Sequence, residues 1–243
     1  MKNWVGKKYW LVGASEGLGE ALAHVLSRAG AEVIVSARNA DKLTEVVASL
    51  PAAARAVPMD ISDAESVAKA ARDVGEIDGV VLLAGVYWPM TAQNWDADQI
   101  VQMADVNFTG YLRVLGQVMP EMVARDAGHV VLTSSLSAFR GLPRAIGYGA
   151  SKAAVLSLAE SMHADLRGTG IEVQVANPGF IKTRMTDKNN FRMPAIMTPE
   201  AAAQEMFELM NSDAFKKSLP FSLSSVLRLS QFLPDWLYFR LFS

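Results

Sequence analysis

Two side chains in the stretch SLSAFRGLPRAIGYGASK could carry out proton chemistry. Tyr148 and Lys152 stand four residues apart at the start of a helical pattern, so they share one face. A tyrosine with its ordinary pKa of about 10 is a poor acid-base group at neutral pH. A neighbouring ammonium stabilises the phenolate and is expected to lower that value. Ser135, at the end of a β-rich run, offers a hydroxyl that could polarise a substrate carbonyl and stabilise the developing alkoxide. Alone, a Tyr and a Lys on one helix face are an ordinary surface pair. Their meaning depends on what the rest of the chain sets beside them.

The stretch GASEGLG at residues 13–19 has the character of an anion-binding turn. Gly13 follows an apolar run directly, and Gly17 and Gly19 open a helical pattern. Glycine permits positive φ and close backbone approach, while the free N–H groups of a helix start favour an anion. The spacing is GxxxGxG with no Lys-Ser/Thr after it, which argues against a nucleoside-triphosphate loop. Glu16 sets a carboxylate in mid-loop, and its side chain can point away from bound phosphates.

These groups need a frame, and the chain alternates short β-rich runs with helical patterns. KKYWLV, AEVIVSA, ARAVPMD, GVVLLAG, GHVVLTSS and IEVQVANPG read as strands. A first helix carries Leu18, Leu22, Val25, Leu26 and Ala29 on one face and stops at Gly30. A second places Leu43, Val46, Val47 and Leu50 at helical spacing. A third opens with Ser62 as the expected N-cap and Glu65 three residues on. Further helices are centred near residues 105 and 158. Continuous β-branched runs between helices imply parallel strands covered on both faces. The expected fold is α/β: a Rossmann-type doubly wound sheet with right-handed crossovers, its ligand at the C-terminal edge of the strands.

Composition removes several function classes. A chain of 243 residues with 51% apolar and 20% charged residues fits one such domain, and nothing in it points to disorder. A net charge of −2 without a basic run gives no footprint for nucleic acid. With no cysteine there is no disulfide or thiolate chemistry, and a reducing cytoplasm is the simplest home. The basic start MKNWVGKK precedes only four apolar residues, so no signal peptide is expected, and no segment has the length and purity of a membrane span. His24, His129 and His163 are scattered without a carboxylate cluster, so no metal site is expected.

The combination of GASEGLG, Asn107 in DVNFTG, TSS ending at Ser135, YGASK, and NPG at 177–179 resembles the short-chain dehydrogenase/reductase family in its smaller form. The likeness is collinear from about residue 7 to about 183, three quarters of the chain. It implies that Tyr148 is the general acid in reduction and the general base in oxidation. Lys152 would bind the nicotinamide ribose and tune Tyr148, and Asn107 would hold a water linking Lys152 to solvent. Ser135, thirteen positions before Tyr148, would be the carbonyl-polarising hydroxyl rather than Ser134 or Ser137. Cofactor contacts would come from Gly13, Ser15, Glu16, Gly17, Leu18 and Gly19, from Asp60 and Ile61 at the adenine, and from Ala84 and Gly85. On the nicotinamide side they would come from Pro178, Gly179, Ile181 and Thr183. The family's Asn-Asn-Ala-Gly after the fourth strand is Leu82-Leu83-Ala84-Gly85 here, which reads as a packing substitution, and Val12 replaces a common threonine.

The second strand ends SARN, so Ala37 stands where an acid would hold the ribose 2′-OH of NAD(H), and Arg38 follows. A planar guanidinium suits the 2′-phosphate, which favours NADP(H). Glu16 points toward NAD(H), which therefore stays open. Substrate identity lies beyond NPG. Residues 184–200 are expected to form a lid, with Phe180, Met185, Phe191, Met193 and Met197 making it apolar and adaptable. Together with Tyr87, Trp88, Leu136 and Phe139 they imply a small hydrophobic, lipid-like carbonyl or alcohol substrate. Half of the methionines could equally serve domain packing.

The resemblance implies a homodimer or homotetramer built on the helices near 105 and 158. Residues 1–183 would be the cofactor-binding and catalytic core of the domain. The apolar extension 219–243 follows a seventh strand near 218–221, and has enough Leu, Phe and Trp to bury a face. It could cap the substrate pocket, pack on a partner subunit, or lie on a membrane surface, in that order. The alternative function is an NADP(H)-binding sensor or scaffold without turnover. An epimerase or dehydratase role belongs to longer relatives with a separate substrate domain.

Overall fold

The computed structural model describes residues 2–188, 191 and 193–242. Seven strands form one parallel sheet in the order β3-β2-β1-β4-β5-β6-β7. They are β1 (Lys8–Val12), β2 (Glu32–Ser36), β3 (Ala54–Ala56), β4 (Gly79–Leu82), β5 (Gly128–Thr133), β6 (Ile171–Pro178) and β7 (Lys216–Leu219). The order reverses between β1 and β4, and it is outside the strand ends at such a point that α/β sheets bind ligands.

Two apolar layers explain why the strands read as continuous hydrophobic runs. On one face Trp10, Val12, Val80, Leu82, Val130 and Leu132 lie in one core cluster; on the other Leu11, Val33, Val81 and Val131 lie in a second. Helix α1 (Gly17–Arg28) covers the second face with Leu22 and Leu26, and ends before Gly30, whose φ of 94° needs no Cβ penalty. Helices α2 (Ala40–Ser49) and α3 (Ala64–Val74) follow the second and third strands. The cap of α3 is Asp63, whose side chain accepts from the Glu65 N–H, and not Ser62. Ser62 instead donates its hydroxyl to Asp60, so the nearer carboxylate won the serine.

The helix expected near residue 105 is two helices fused through a wide turn. Helix α4 (Ala97–Ala104) runs into a π turn at Asp105–Thr109, then into α5 (Gly110–Ala124). Helix α6 (Ile146–Asp165) is the one centred near 158. Helix α7 (Pro199–Met210) begins at its proline with Thr198 as cap, and a short 3-10 turn at Thr186–Lys188 interrupts the irregular segment before it. The seventh strand lies two residues earlier than expected. After it come α8 (Phe221–Ser230) and α9 (Asp235–Phe242). Among the described residues no helix is long and apolar enough to cross a membrane.

Candidate active site

The glycine turn closes on the neighbouring strand end. Gly13 has φ of 95°, and a Cβ there would stand 2.4 Å from the Ala84 nitrogen, so only glycine allows the two backbones to meet. A Cβ on Gly19 would stand 2.1 Å from the Gly13 carbonyl oxygen, so the loop packs on itself. The Thr183 methyl lies 3.0 Å from the Cβ position of Gly17, which sets the segment after β6 over the loop. Helix α1 starts without a side-chain cap. Its first N–H groups therefore have no side-chain acceptor, as an anion site requires. These features fit a dinucleotide pyrophosphate. Ser15 and Leu18 sit half-buried in the same turn.

The Glu16 side chain pairs with two cations. Its carboxylate meets Lys42 Nζ at 2.8 Å and Arg184 Nη2 at 2.6 Å. The carboxylate expected to oppose Arg38 is thus paired with two other cations. Arg38 is exposed at the start of the β2–α2 turn and faces Asp60 electrostatically. Burial pushes the Asp60 carboxyl up, but hydrogen bonds from Ser62 and the charges of Arg38 and Arg113 outweigh it and hold the group below its ordinary value. Ile61 is buried against Gly110, whose Cβ position is 2.7 Å from an Ile61 side-chain carbon.

The proton-handling residues come together from three elements. Ser135 follows β5, Tyr148 and Lys152 lie on the first turns of α6, and Asn107 lies in the π turn. Ser135 lies near enough to Tyr148 to act on its phenol, and accepts from the Ser137 hydroxyl at 3.1 Å. Ser134 points elsewhere, donating to the Lys152 carbonyl at 2.7 Å, so Ser135 is the hydroxyl on the Tyr148 side. Lys152 is buried, with Nζ donating to the Thr133 carbonyl at 2.9 Å and standing 5.8 Å from the Tyr148 ring centre.

Asn107 accepts from the Val86 N–H at 2.7 Å and donates to the Val86 carbonyl and to Ser151 Oγ. Both of its amide hydrogens are engaged, and its side chain braces the β4 end against α6. Ser151 in turn donates to the Tyr148 carbonyl at 2.8 Å. A π turn re-aims one side chain within a helix, and turns of this kind recur at functional sites.

The electrostatics differ from the expectation. Tyr148 does not have a lowered pKa: burial of its hydroxyl, opposed by the Ser135 hydroxyl and aided by Tyr87, pushes it up to about 12. Burial likewise pushes Lys152 down to about 7, so its ammonium is a weak stabiliser of a phenolate at neutral pH. Tyr148 is therefore a neutral phenol, a proton donor.

Of the apolar residues, Tyr87 packs edge-on to Tyr148 at 5.2 Å. Met185 reaches the Gly85 Cβ position at 3.6 Å, where Asn107 and the Lys152 ammonium also converge. Leu136 and Leu223 of α8 lie 3.1 and 3.2 Å from the Cβ position of Gly179, beyond Pro178. Phe180 meets Phe191 at 5.8 Å, Trp88 carries Lys188 over its ring, and Phe139 sits beneath Arg228. Met193 is half-buried. Met197 bridges Ile181 through its backbone and packs, partly buried, against a small cluster with Leu18, Ala202 and Leu219. Residues 189, 190 and 192 of the expected lid lie outside the described residues. Among the described residues no three His, Cys, Asp or Glu gather as metal ligands. Ser137, Ser151, Lys42 and Arg184 had not stood out in the sequence; only Ser151, adjacent to Lys152 in YGASK, carried a signal.

A glycine turn at the switch point of a parallel sheet, with serine, tyrosine and lysine gathered beside it, defines a dinucleotide-dependent oxidoreductase. Residues 7–193 match the short chain dehydrogenase family, and the chain belongs to it, a family of oxidoreductases that use NAD(P)(H). It is 36% identical over 236 residues to an uncharacterized oxidoreductase of Myxococcus xanthus, covering 94% of this chain and 93% of that one. A solved short chain dehydrogenase/reductase family protein is 27% identical, covers 89% of this chain and 95% of its own, and superposes with a TM-score of 0.82. The actinorhodin polyketide ketoreductase solved with NADPH shares the fold at TM-score 0.83 and 22% identity, covering 92% of this chain and 99% of its own.

Proposed function

We propose that this protein reduces the carbonyl of a small hydrophobic substrate to a secondary alcohol with NADPH, and catalyses the reverse oxidation. The observation that carries the reading is the convergence of Ser135, Tyr148 and the buried Lys152 at the C-terminal edge of the sheet. The cofactor, when bound, supplies or accepts the hydride. The residues that would hold it are Gly13, Ser15, Gly17, Leu18 and Gly19 at the pyrophosphate. Arg38, Asp60, Ile61, Ala84 and Gly85 would serve the adenosine half, and Lys152, Pro178, Gly179, Ile181 and Thr183 the nicotinamide half.

Ser135 orients the substrate carbonyl oxygen, and Tyr148, a neutral phenol, delivers its proton there. Asn107 and Ser151 fix the helix turn that carries both Tyr148 and Lys152. Tyr87, Leu136 and Met185 surround the reacting groups with apolar surface and limit water. Residues 184–200 act as the lid, tied down where Arg184 meets Glu16 and where Lys188 donates to the Tyr87 carbonyl at 2.8 Å.

The preference for NADP(H) rests on Arg38, on the lack of an acid at Ala37, and on the neutralisation of Glu16 by Lys42 and Arg184. The ketoreductase solved with NADPH supports it by analogy of fold. Exposed Val101 on α4 and Leu112 on α5 support homo-oligomers built on these helices. The test is a panel of aliphatic and aromatic ketones, aldehydes and quinones, followed by NADPH absorbance. Turnover rising with apolar chain length is expected; no turnover across the panel, with NADPH bound, would remove the enzymatic reading.

A further inference from the structure

The tail carries apolar side chains on its outer face as well as its inner one. A helix on the surface of a water-soluble protein turns apolar residues inward and polar ones outward. In α8 the buried positions are Ser224 and Ser230, while Phe221 and Leu229 are 83% and 69% exposed. The turn to α9 and α9 itself continue the pattern, with Phe232 83% and Trp236 70% exposed and Phe239 and Leu241 facing outward beside them. The inner side is nevertheless firmly seated. The Arg140 guanidinium donates to the Ser230 carbonyl and to the Leu233 carbonyl at 2.7 Å, pairs with Asp235, and stacks 3.9 Å over the Tyr238 ring. Tyr238 donates to the Gly141 carbonyl at 2.8 Å, and Gln231 to that of Phe139 at 2.6 Å. The apolar face is therefore presented by a fixed platform.

We infer that this outward face of α8 and α9 docks on the surface of an anionic phospholipid bilayer. Its charge selects that occupant. Residues 221–243 carry Arg228, Arg240 and a single acid, Asp235, and the acid is engaged by Arg140. The face is thus cationic on a chain whose net charge is −2. Exposed Arg228 and Arg240 flank aromatic side chains, the combination that settles in the headgroup region of a membrane. The platform also touches the candidate site, because Leu223 of α8 lies against Gly179 beside Leu136. A bilayer under the tail would sit next to the substrate wall.

The test uses the full chain and vesicles of phosphatidylcholine with or without phosphatidylglycerol. Wild type should co-sediment with the anionic vesicles. Phe232→Ser with Trp236→Ser, both at exposed positions, should reduce binding about tenfold or more. Arg228→Glu should remove the preference for anionic over neutral vesicles. Acyl chains brominated at depth should quench wild-type tryptophan fluorescence, and Trp236→Phe should lose that quenching. The inference is overturned by wild type that stays in solution, or by quenching that persists in Trp236→Phe. A lipid-free oligomer that the double variant splits would also overturn it, since the face would then belong to a second copy.

Discussion

Strand β5 carries a buried titratable cluster at each end, and the two behave oppositely. At its start, His129 is enclosed with Tyr9 and Gln174, and every polar atom is satisfied. Gln174 Nε2 donates to the carbonyls of Leu209, Ser212 and Ala214, so its Oε1 accepts from His129 Nε2–H at 2.9 Å. His129 Nδ1 then accepts from the Tyr9 hydroxyl at 2.8 Å. Burial holds His129 down at about 3, and it stays neutral throughout the ordinary range. Past the other end, the Lys152 ammonium donates to the Thr133 carbonyl, and the buried Thr133 hydroxyl has no partner among the described residues. Burial alone does not make a site. What separates the clusters is that one has spent its polar atoms on itself, while the other keeps donors for something else.

Substitutions at the two ends should therefore fail in different ways. Lys152→Met is expected to lower kcat about 10²- to 10³-fold with little loss of melting temperature, because a costly buried ammonium is removed. His129→Leu should do the reverse. It strands the Tyr9 hydroxyl and Gln174 Oε1, costing roughly 2–5 kcal/mol in a denaturant titration, with kcat of the folded protein intact. A similar activity loss in both would collapse the distinction.

The satisfied cluster also sets an acid limit. The folded pKa of His129 is depressed to about 3, whereas the unfolded chain protonates near 6.5. The unfolded state thus binds more protons between these values. Stability contributed by His129 is complete above pH 6.5 and is lost as pH falls toward 3, at about 1.4 kcal/mol per unit. Urea titrations of wild type and of His129→Asn from pH 7 to 4 measure the difference in slope. Parallel curves would mean that His129 titrates normally in the fold.

Smaller effects are expected at the cofactor end. Arg38→Asp should raise the KM for NADPH by about tenfold or more and leave that for NADH nearly unchanged. Glu16→Gln should move the melting temperature little, since its ion pairs are half-exposed, and change the NADPH KM by about threefold at most. A large loss of NADPH affinity would instead make the Glu16 clamp part of cofactor binding.

The two ends also differ in how far they were legible. Strands buried on both faces leave continuous apolar runs, so the sheet was readable throughout. Ser135, Tyr148 and Lys152 declare themselves by local spacing, and their convergence follows from β5 ending where α6 begins its first turns. Contacts between distant segments leave no such trace: the Glu16–Lys42 pair joins residues 26 apart, and Arg184 comes from beyond β6. The π turn at Asn107 has no compositional mark. Ser62 and Asp63 are both good caps, and only the position of Asp60 decides between them. Periodicity in the tail revealed an apolar stripe but not which way it faces. The pKa of Tyr148 was misjudged for a related reason, because enclosure of a hydroxyl is a tertiary property.

The central claim is that Tyr148 is the proton donor of a carbonyl reduction. The most direct measurement compares NADPH-dependent reduction of the best ketone in the panel by wild type and by Tyr148→Phe, a change that removes one oxygen atom. A fall in kcat of about 10³-fold, with NADPH still bound, is expected. A variant retaining comparable kcat would contradict the account.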